Sequence, residues 1–126
     1  MVVSFVGHGK AMVREDKLSN KEFESLVAKA LASIPEDFRD FLENVAVLIE
    51  DEPPEDMPDV MGFYEGVPLV ERSIDDSLLP DCITLYKGPI ERTCSTPAEI
   101  EAEVRLTVLH EVGHFFGLEE SQLEQL

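Results

Sequence analysis

The segment that begins at Thr96 and ends at Gly117 constrains the fold more than any other part of the chain. Thr96 is a favourable N-cap residue, and Pro97 suits the first helical position. Glu99 stands three residues after Thr96, which completes the capping-box pattern. These signals predict a long helix that starts directly after Thr96.

A competing pattern runs through the same segment. Apolar and polar residues alternate over residues 98–108, a period that by itself is typical of a strand. The capping signals, the helix-forming Ala and Glu residues and the favourably spaced pair Glu101 and Arg105 favour a helix instead. We therefore predict a helix over 97–116, ended by Gly117, a residue suited to the left-handed C-terminal position.

Apolar periodicity and chain-breaking residues predict the remaining elements. These are an amphipathic helix over 20–34 with a capping box at Ser19 and Glu22, a short helix from Pro35 through Leu42, buried strands over 45–49 and 82–86, a surface loop over 51–59, and a short edge strand or part of a hairpin around Phe63, Tyr64 and Val67. Gly88-Pro89 is expected to end the second strand. Residues 1–18 are expected to be an added strand or a loose arm, before one domain over 19–126.

The helix over 97–116 carries the motif most typical of chemistry, His110-Glu111-Val112-Gly113-His114. Histidines four residues apart lie on one face of a helix, so that both imidazoles can reach one ion. Zinc binds imidazole nitrogens, and a catalytic zinc site leaves one position for water. Zinc lowers the pKa of that water, and Glu111 can accept the proton and pass it to a leaving amine. His110 and His114 are the predicted metal ligands, and Glu111 is the predicted catalytic carboxylate.

Zinc needs a third protein ligand, and the residues after the helix offer several. Gly117 lets the chain reverse, and Glu120 follows three residues later, which gives the pattern His-Glu-x-x-His-x-x-Gly-x-x-Glu. A carboxylate is an acceptable zinc ligand. We predict Glu120 as the third ligand, with Glu119 and Glu124 as the alternatives.

Other polar residues are weaker candidates for the same site. His8 lies between two glycines near the N-terminus and is expected to be a loop residue rather than a fourth ligand or a transition-state donor. Four side chains could stabilise an oxyanion, and the sequence does not choose among them. These are Tyr64, Tyr86, Arg72 and Arg92.

Composition disfavours some classes of function. The 126 residues suit one domain, and 27 acidic against 10 basic residues give a formal net charge of −17. The simplest interpretation of this charge is solubility alone. Such a surface also repels nucleic acid and anionic membranes and attracts cations, metals and basic peptides. Cys82 and Cys94 form no disulfide framework, and neither a signal peptide nor a membrane-spanning segment is evident. We expect a cytoplasmic protein that acts on peptides or small proteins; its oligomeric state is not predicted.

The motif from His110 to Glu120 resembles that of the minimal zincins, a family of small, mostly bacterial zinc metallopeptidases. Two more stretches are similar to family segments: Gly62-Phe63-Tyr64-Glu65-Gly66-Val67-Pro68-Leu69, and Leu79-Pro80-Asp81-Cys82-Ile83-Thr84-Leu85-Tyr86. The resemblance runs from about residue 19 to the C-terminus. Cys82 stands where the family often has a basic residue, and Glu120 stands where aspartate is also common.

The resemblance implies an α/β (α+β) fold, a compact single domain in which a small mixed sheet packs against the active-site helix. It also implies zinc at His110, His114 and Glu120, with Glu111 as the catalytic carboxylate. The leading expectation is peptide-bond hydrolysis. A zincin-like module that binds a metal or a partner without turnover is the main alternative. A metal-dependent ribonuclease is a third, which the charge of −17 disfavours.

Overall fold

The chain folds into one mixed sheet, and its two long helices pack on one face of that sheet. The computed structural model describes residues 18–57, 60–66 and 81–118, together with the backbone of residues 2–5. In chain order the elements are β1 (Val2–Phe5), α1 (Asn20–Ala32), α2 (Glu36–Arg39), a 3-10 turn (Asp40–Leu42), β2 (Val45–Glu50), β3 (Gly62–Glu65), β4 (Asp81–Tyr86), α3 (Lys87–Arg92) and α4 (Pro97–Phe115).

The sheet has four strands in the order β1-β2-β4-β3. β1, β2 and β4 are parallel, and β3 is antiparallel to β4. Parallel neighbours need a crossover connection, and α1 supplies one between β1 and β2. The small mixed sheet is confirmed, and residues 2–5 form an added strand at one edge while β3 forms the other.

Helix α1 begins at the predicted capping box. The Ser19 hydroxyl accepts a hydrogen bond from the Glu22 backbone N–H at 3.1 Å, and the Glu22 carboxylate accepts one from the Ser19 N–H at 3.2 Å. Each bond satisfies a backbone donor that the helix itself leaves open. The buried face of α1 carries Phe23 and Val27, both with no exposed surface. This face packs against β2, in which every second residue is buried. The helix and the strand therefore contribute to one apolar core.

Helix α4 is confirmed over Pro97–Phe115 with the second capping box in place. The Thr96 hydroxyl accepts from the Glu99 N–H at 3.2 Å, and the Glu99 carboxylate accepts from the Thr96 N–H at 3.1 Å. One side of α4 contacts α1, where Lys29 forms an ion pair with Glu101. Because the same helix also buries apolar residues against the sheet, α4 is held on two sides.

The C-terminus of α4 is closed by a Schellman motif. Gly117 has a φ of +86°, and its N–H donates to the carbonyl of His114 at 2.9 Å. The N–H of Leu118 donates to the carbonyl of Gly113, also at 2.9 Å. These are the paired bonds of that motif, and they turn the chain back immediately after the two histidines.

Replacing Gly117 with alanine tests this turn. A Cβ disfavours a left-handed backbone by about 1–2 kcal/mol, so we expect Gly117→Ala to lower the free energy of unfolding by about 1 kcal/mol. Urea unfolding followed by circular dichroism measures the change. Gly117→Asn is the matched control and should cost less, because asparagine adopts this conformation more readily. Equal losses for both variants would contradict the assignment.

Helix α3 was not predicted, because Gly88 and Pro89 were expected only to end the strand. Strand β4 does end just before them, and the chain then enters α3 directly. A proline in the first turn of a helix costs little, since backbone N–H groups there have no partner within the helix. The buried Glu91 carboxylate accepts from the Leu18 N–H at 3.0 Å and lies 3.4 Å from the buried Lys87 ammonium, which ties α3 to the start of α1.

Cys82 and Cys94 are both free thiols. Across the ranges that the structure describes, no helix has the length and apolar character required to cross a bilayer.

Candidate metal centre

His110 and His114 lie one turn apart on α4, and their rings face each other. The two Nε2 atoms are 3.1 Å apart, whereas the ring centroids are 4.8 Å apart, with the ring planes at 78°. Because the nitrogens are closer than the centroids, both Nε2 atoms lie on the facing sides of the rings. Both side chains are half-buried, so the pair is neither sealed in the core nor splayed into solvent.

This spacing fits two ligands of one zinc ion. Two zinc–nitrogen bonds of about 2.0–2.1 Å at a tetrahedral angle separate the nitrogens by about 3.3 Å. The observed 3.1 Å is close to that value. The same distance also suits an N–H···N hydrogen bond between a neutral donor ring and an acceptor ring, so the separation is compatible with the apo protein as well. The donor set and its spacing therefore fit zinc.

Glu111 completes the cluster from the neighbouring position on the helix. One potential ligand atom from each of His110, Glu111 and His114 can be chosen so that all three lie within 4.8 Å of one another. Glu111 is only 5 % exposed, so its position is set by packing rather than by solvent. A carboxylate this close to the imidazole pair can reach a water molecule held between them.

The direction of the cluster follows from helix geometry. At about 100° per residue, His110 and His114 lie about 180° and about 140° around α4 from Glu101, which marks the side that faces α1. The two imidazoles therefore lie on the side of α4 that faces away from α1. Glu111 lies about 60° around the helix from His114, on the buried face of α4 against which β3 packs.

Strand β3 approaches Glu111 very closely at Gly62. A Cβ placed on Gly62 would lie 2.8 Å from Cγ2 of Thr107 and 3.1 Å from Cγ of Glu111. Thr107 and Glu111 are four residues apart and form one row on α4. The edge strand is therefore packed directly against the helix row that carries the candidate catalytic carboxylate.

Tyr64 is the next residue of β3 that faces α4, and its hydroxyl is engaged. It donates a hydrogen bond to the buried carboxylate of Asp81 at 3.0 Å, and its ring packs edge-to-face on Phe115 at 6.1 Å between centroids. These contacts fix Tyr64 as a support between β3, β4 and α4. The tyrosine closest to α4 is thus held by packing and by Asp81.

The other oxyanion candidates lie elsewhere or outside the described residues. Tyr86 is 3 % exposed, and because its neighbour Leu85 pairs with Gly62 on the α4 side, Tyr86 points to the opposite face of the sheet. The Arg92 guanidinium forms an ion pair with Glu52 at 2.8 Å. Arg72 and His8 lie outside the described residues.

Cys82 and Tyr86, whose side-chain pKa values are shifted, lie on the face of the sheet opposite α4. Burial raises the pKa of the Cys82 thiol, against a hydrogen bond to Thr84 that lowers it. Burial and the neighbouring Glu50 carboxylate raise the pKa of the Tyr86 phenol. Both groups therefore stay protonated at neutral pH, and Cys82 lacks the thiolate character that a nucleophile or metal ligand needs.

The structure thus brings together three of the four predicted site residues. Glu120 lies outside the described residues, as do its alternatives Glu119 and Glu124, and its assignment stays a prediction. No role for Gly62 was predicted from the sequence. A glycine inside a strand pattern often marks a close approach of backbones, and that is the signal that points to it.

Comparison with known proteins agrees with this geometry. Residues 42–126 match the family of zincin-like metallopeptidases. A solved structure, a conserved hypothetical protein from Thermus thermophilus, superposes with a TM-score of 0.56 and is 29 % identical, covering 79 % of this chain and 94 % of that one. No match was found among curated proteins. With the family matched over more than half of its length, this chain belongs to the zincin-like metallopeptidases.

Proposed function

We propose that this protein is a zinc-dependent metallopeptidase that hydrolyses peptide bonds. The observation that carries the proposal is the convergence of the His110 and His114 Nε2 atoms to 3.1 Å with the Glu111 carboxylate beside them. Membership of the zincin-like family supports the same chemistry.

In this proposal His110 and His114 hold the zinc ion, and Glu120 is the third ligand. When bound, zinc supplies Lewis-acid chemistry, because it makes water a stronger acid and a carbonyl carbon a better electrophile. The Schellman turn at Gly117 reverses the chain right after His114, which is the direction that a ligand three residues further on requires.

Glu111 acts as general base and then as general acid. Its carboxylate accepts a proton from the attacking water and returns it to the nitrogen of the leaving amine, so one group serves both steps. Burial of Glu111 to 5 % exposure and its contact with β3 restrict the side chain to few orientations. The carboxylate is therefore positioned before substrate arrives, which lowers the entropy cost of the proton transfers.

We assign substrate binding to the edge of β3 that faces away from β4. β4 cannot take a peptide as an added strand, because both of its edges are occupied, by β2 on one side and by β3 on the other. β3 pairs with β4 alone among the strands of the described residues, so its outer edge offers backbone donors and acceptors. A peptide added along this edge would extend the sheet past Glu111.

Charge favours cationic substrates. The formal net charge of −17 attracts peptides rich in lysine and arginine and speeds their encounter with the protein. This effect acts over long range and is screened by salt, whereas pairing along β3 is not.

A peptide library tests the proposed function. Protein supplied with one equivalent of zinc should cleave short peptides, as read by mass spectrometry, and removal of zinc by a chelator should stop cleavage until zinc is restored. Lysine-rich peptides should be cleaved faster than glutamate-rich peptides of equal length, and the difference should shrink at high salt. Protein that binds one zinc and cleaves no peptide of either kind would contradict the proposal and favour a metal- or partner-binding module.

A further inference from the structure

The backbone conformation of Gly62 does not require glycine. Among the described residues only Gly66 and Gly117 have a positive φ, so Gly62 has a φ that other residues also adopt. Gly62 is the first residue of β3, and a glycine in a strand costs conformational entropy and provides no side chain to pack. The reason for a glycine here must therefore lie in the space around it.

That space is filled by two side chains from α4. A Cβ on Gly62 would meet Thr107 Cγ2 at 2.8 Å, a distance that forces a shift, and Glu111 Cγ at 3.1 Å, which demands a smaller one. It would also lie 3.4 Å from the Thr84 carbonyl oxygen, an ordinary contact. The bare backbone of Gly62 is thus the wall against which the Glu111 side chain rests.

We infer that Gly62 is a positioning residue for Glu111. By allowing β3 to lie against α4 without a Cβ, it fixes the orientation of the Glu111 side chain relative to the His110 and His114 nitrogens. The same strand carries the edge assigned to the substrate, so Gly62 also sets the distance between that edge and the catalytic carboxylate. This inference rests on the proposed function for its catalytic consequence, whereas the positioning itself is a structural property.

The two contacts of Gly62 can be separated by mutation. Gly62→Ala alone introduces both close contacts, and we expect it to lower both the melting midpoint and kcat. Thr107→Ser removes the Cγ2 methyl group, so the double variant Gly62→Ala, Thr107→Ser relieves the 2.8 Å contact and keeps the 3.1 Å contact with Glu111. The double variant should recover stability and still fail to recover turnover.

The experiment compares the parent, Thr107→Ser, Gly62→Ala and the double variant by thermal unfolding, zinc affinity, kcat and KM on one peptide, and crystal structure. We expect parental zinc affinity in all four, since the histidines are untouched. We expect kcat in the double variant to fall by about threefold to tenfold, because relief of the 3.1 Å contact moves Glu111 by a few tenths of an ångström, and a full 1 Å at a reacting group costs about a hundredfold. The crystal structure of that variant should show the Glu111 carboxylate displaced from the imidazole pair, and Thr107→Ser should leave it in place.

The outcomes separate the two claims. A double variant with parental Glu111 geometry would overturn the inference, and so would one with displaced Glu111 and parental kcat on a cleaved peptide. If no protein in the set cleaves peptide while Glu111 is displaced in the double variant, the positioning role holds and the proposed function fails.

Discussion

Replacing Glu111 with glutamine is expected to abolish peptide hydrolysis while zinc remains bound. Glutamine keeps the shape of the side chain and its packing against Gly62, but an amide oxygen cannot accept and return a proton at neutral pH. General acid–base catalysis contributes about 10²- to 10⁴-fold, so kcat should fall by that factor. Zinc content by elemental analysis should stay at one equivalent, because Glu111 is not assigned as a ligand.

A second glutamate on α4 provides the matched control. Glu103 is half-buried on the helix about two turns before His110, and Glu103→Gln makes the same chemical change away from the imidazole pair. This variant should keep parental kcat. Parental activity in Glu111→Gln, or equal losses in the two variants, would contradict the role assigned to Glu111.

Replacing His114 with alanine is expected to remove both zinc and activity. The site loses one of its two imidazoles, and a single remaining histidine does not make a strong zinc site. Zinc that binds the folded protein at a hundred times its Kd stabilises it by about 2.7 kcal/mol. The parent should gain stability of this order on zinc addition in thermal or urea unfolding, and His114→Ala should gain none.

His8 supplies the control for this prediction, because it is the one histidine of the chain outside the His110–His114 motif. His8→Ala should bind zinc and respond to it as the parent does. A zinc response retained by His114→Ala and lost by His8→Ala would place the metal elsewhere and contradict the assignment.

The sequence alone was sufficient to predict the helix that carries the site. Two opposing signals met over residues 98–108, and the alternating period indicated a strand. The capping box at Thr96 and Glu99 and the turn at Gly117 outweighed it, and the structure confirms a helix with both features. Local hydrogen bonding at the helix ends decided the outcome, and local chemistry is readable from sequence.

The contacts around the site form where segments distant in sequence pack together. The sequence alone did not predict which segments would pair. Tyr64 was a candidate oxyanion donor from sequence. In the structure the pairing of β3 with β4 brings its hydroxyl to Asp81, to which it donates a hydrogen bond. Gly62 acquires its role only when β3 packs against Thr107 and Glu111, more than forty residues further along the chain. Spacing within one helix gives the histidine pair, whereas register between strands and helices sets what surrounds it.

The first turn of α3 shows a second reason why sequence-based prediction was incomplete. Gly88 and Pro89 are chain breakers in most contexts, and they do mark the end of β4. In α3 they occupy the first turn, where a missing N–H and an added glycine cost little. The same two residues are compatible with a loop or a helix start, and tertiary packing chose the latter.

X-ray absorption at the zinc edge, recorded on protein loaded with one equivalent of zinc, reports the ligands of the ion itself. We predict two imidazole nitrogens at about 2.0–2.1 Å, with the remaining ligands supplied by oxygen. In the variant that carries both His110→Ala and His114→Ala, the imidazole signal should vanish. A parent spectrum without imidazole scattering, or one that the double replacement leaves unchanged, would show that these two histidines do not hold the metal.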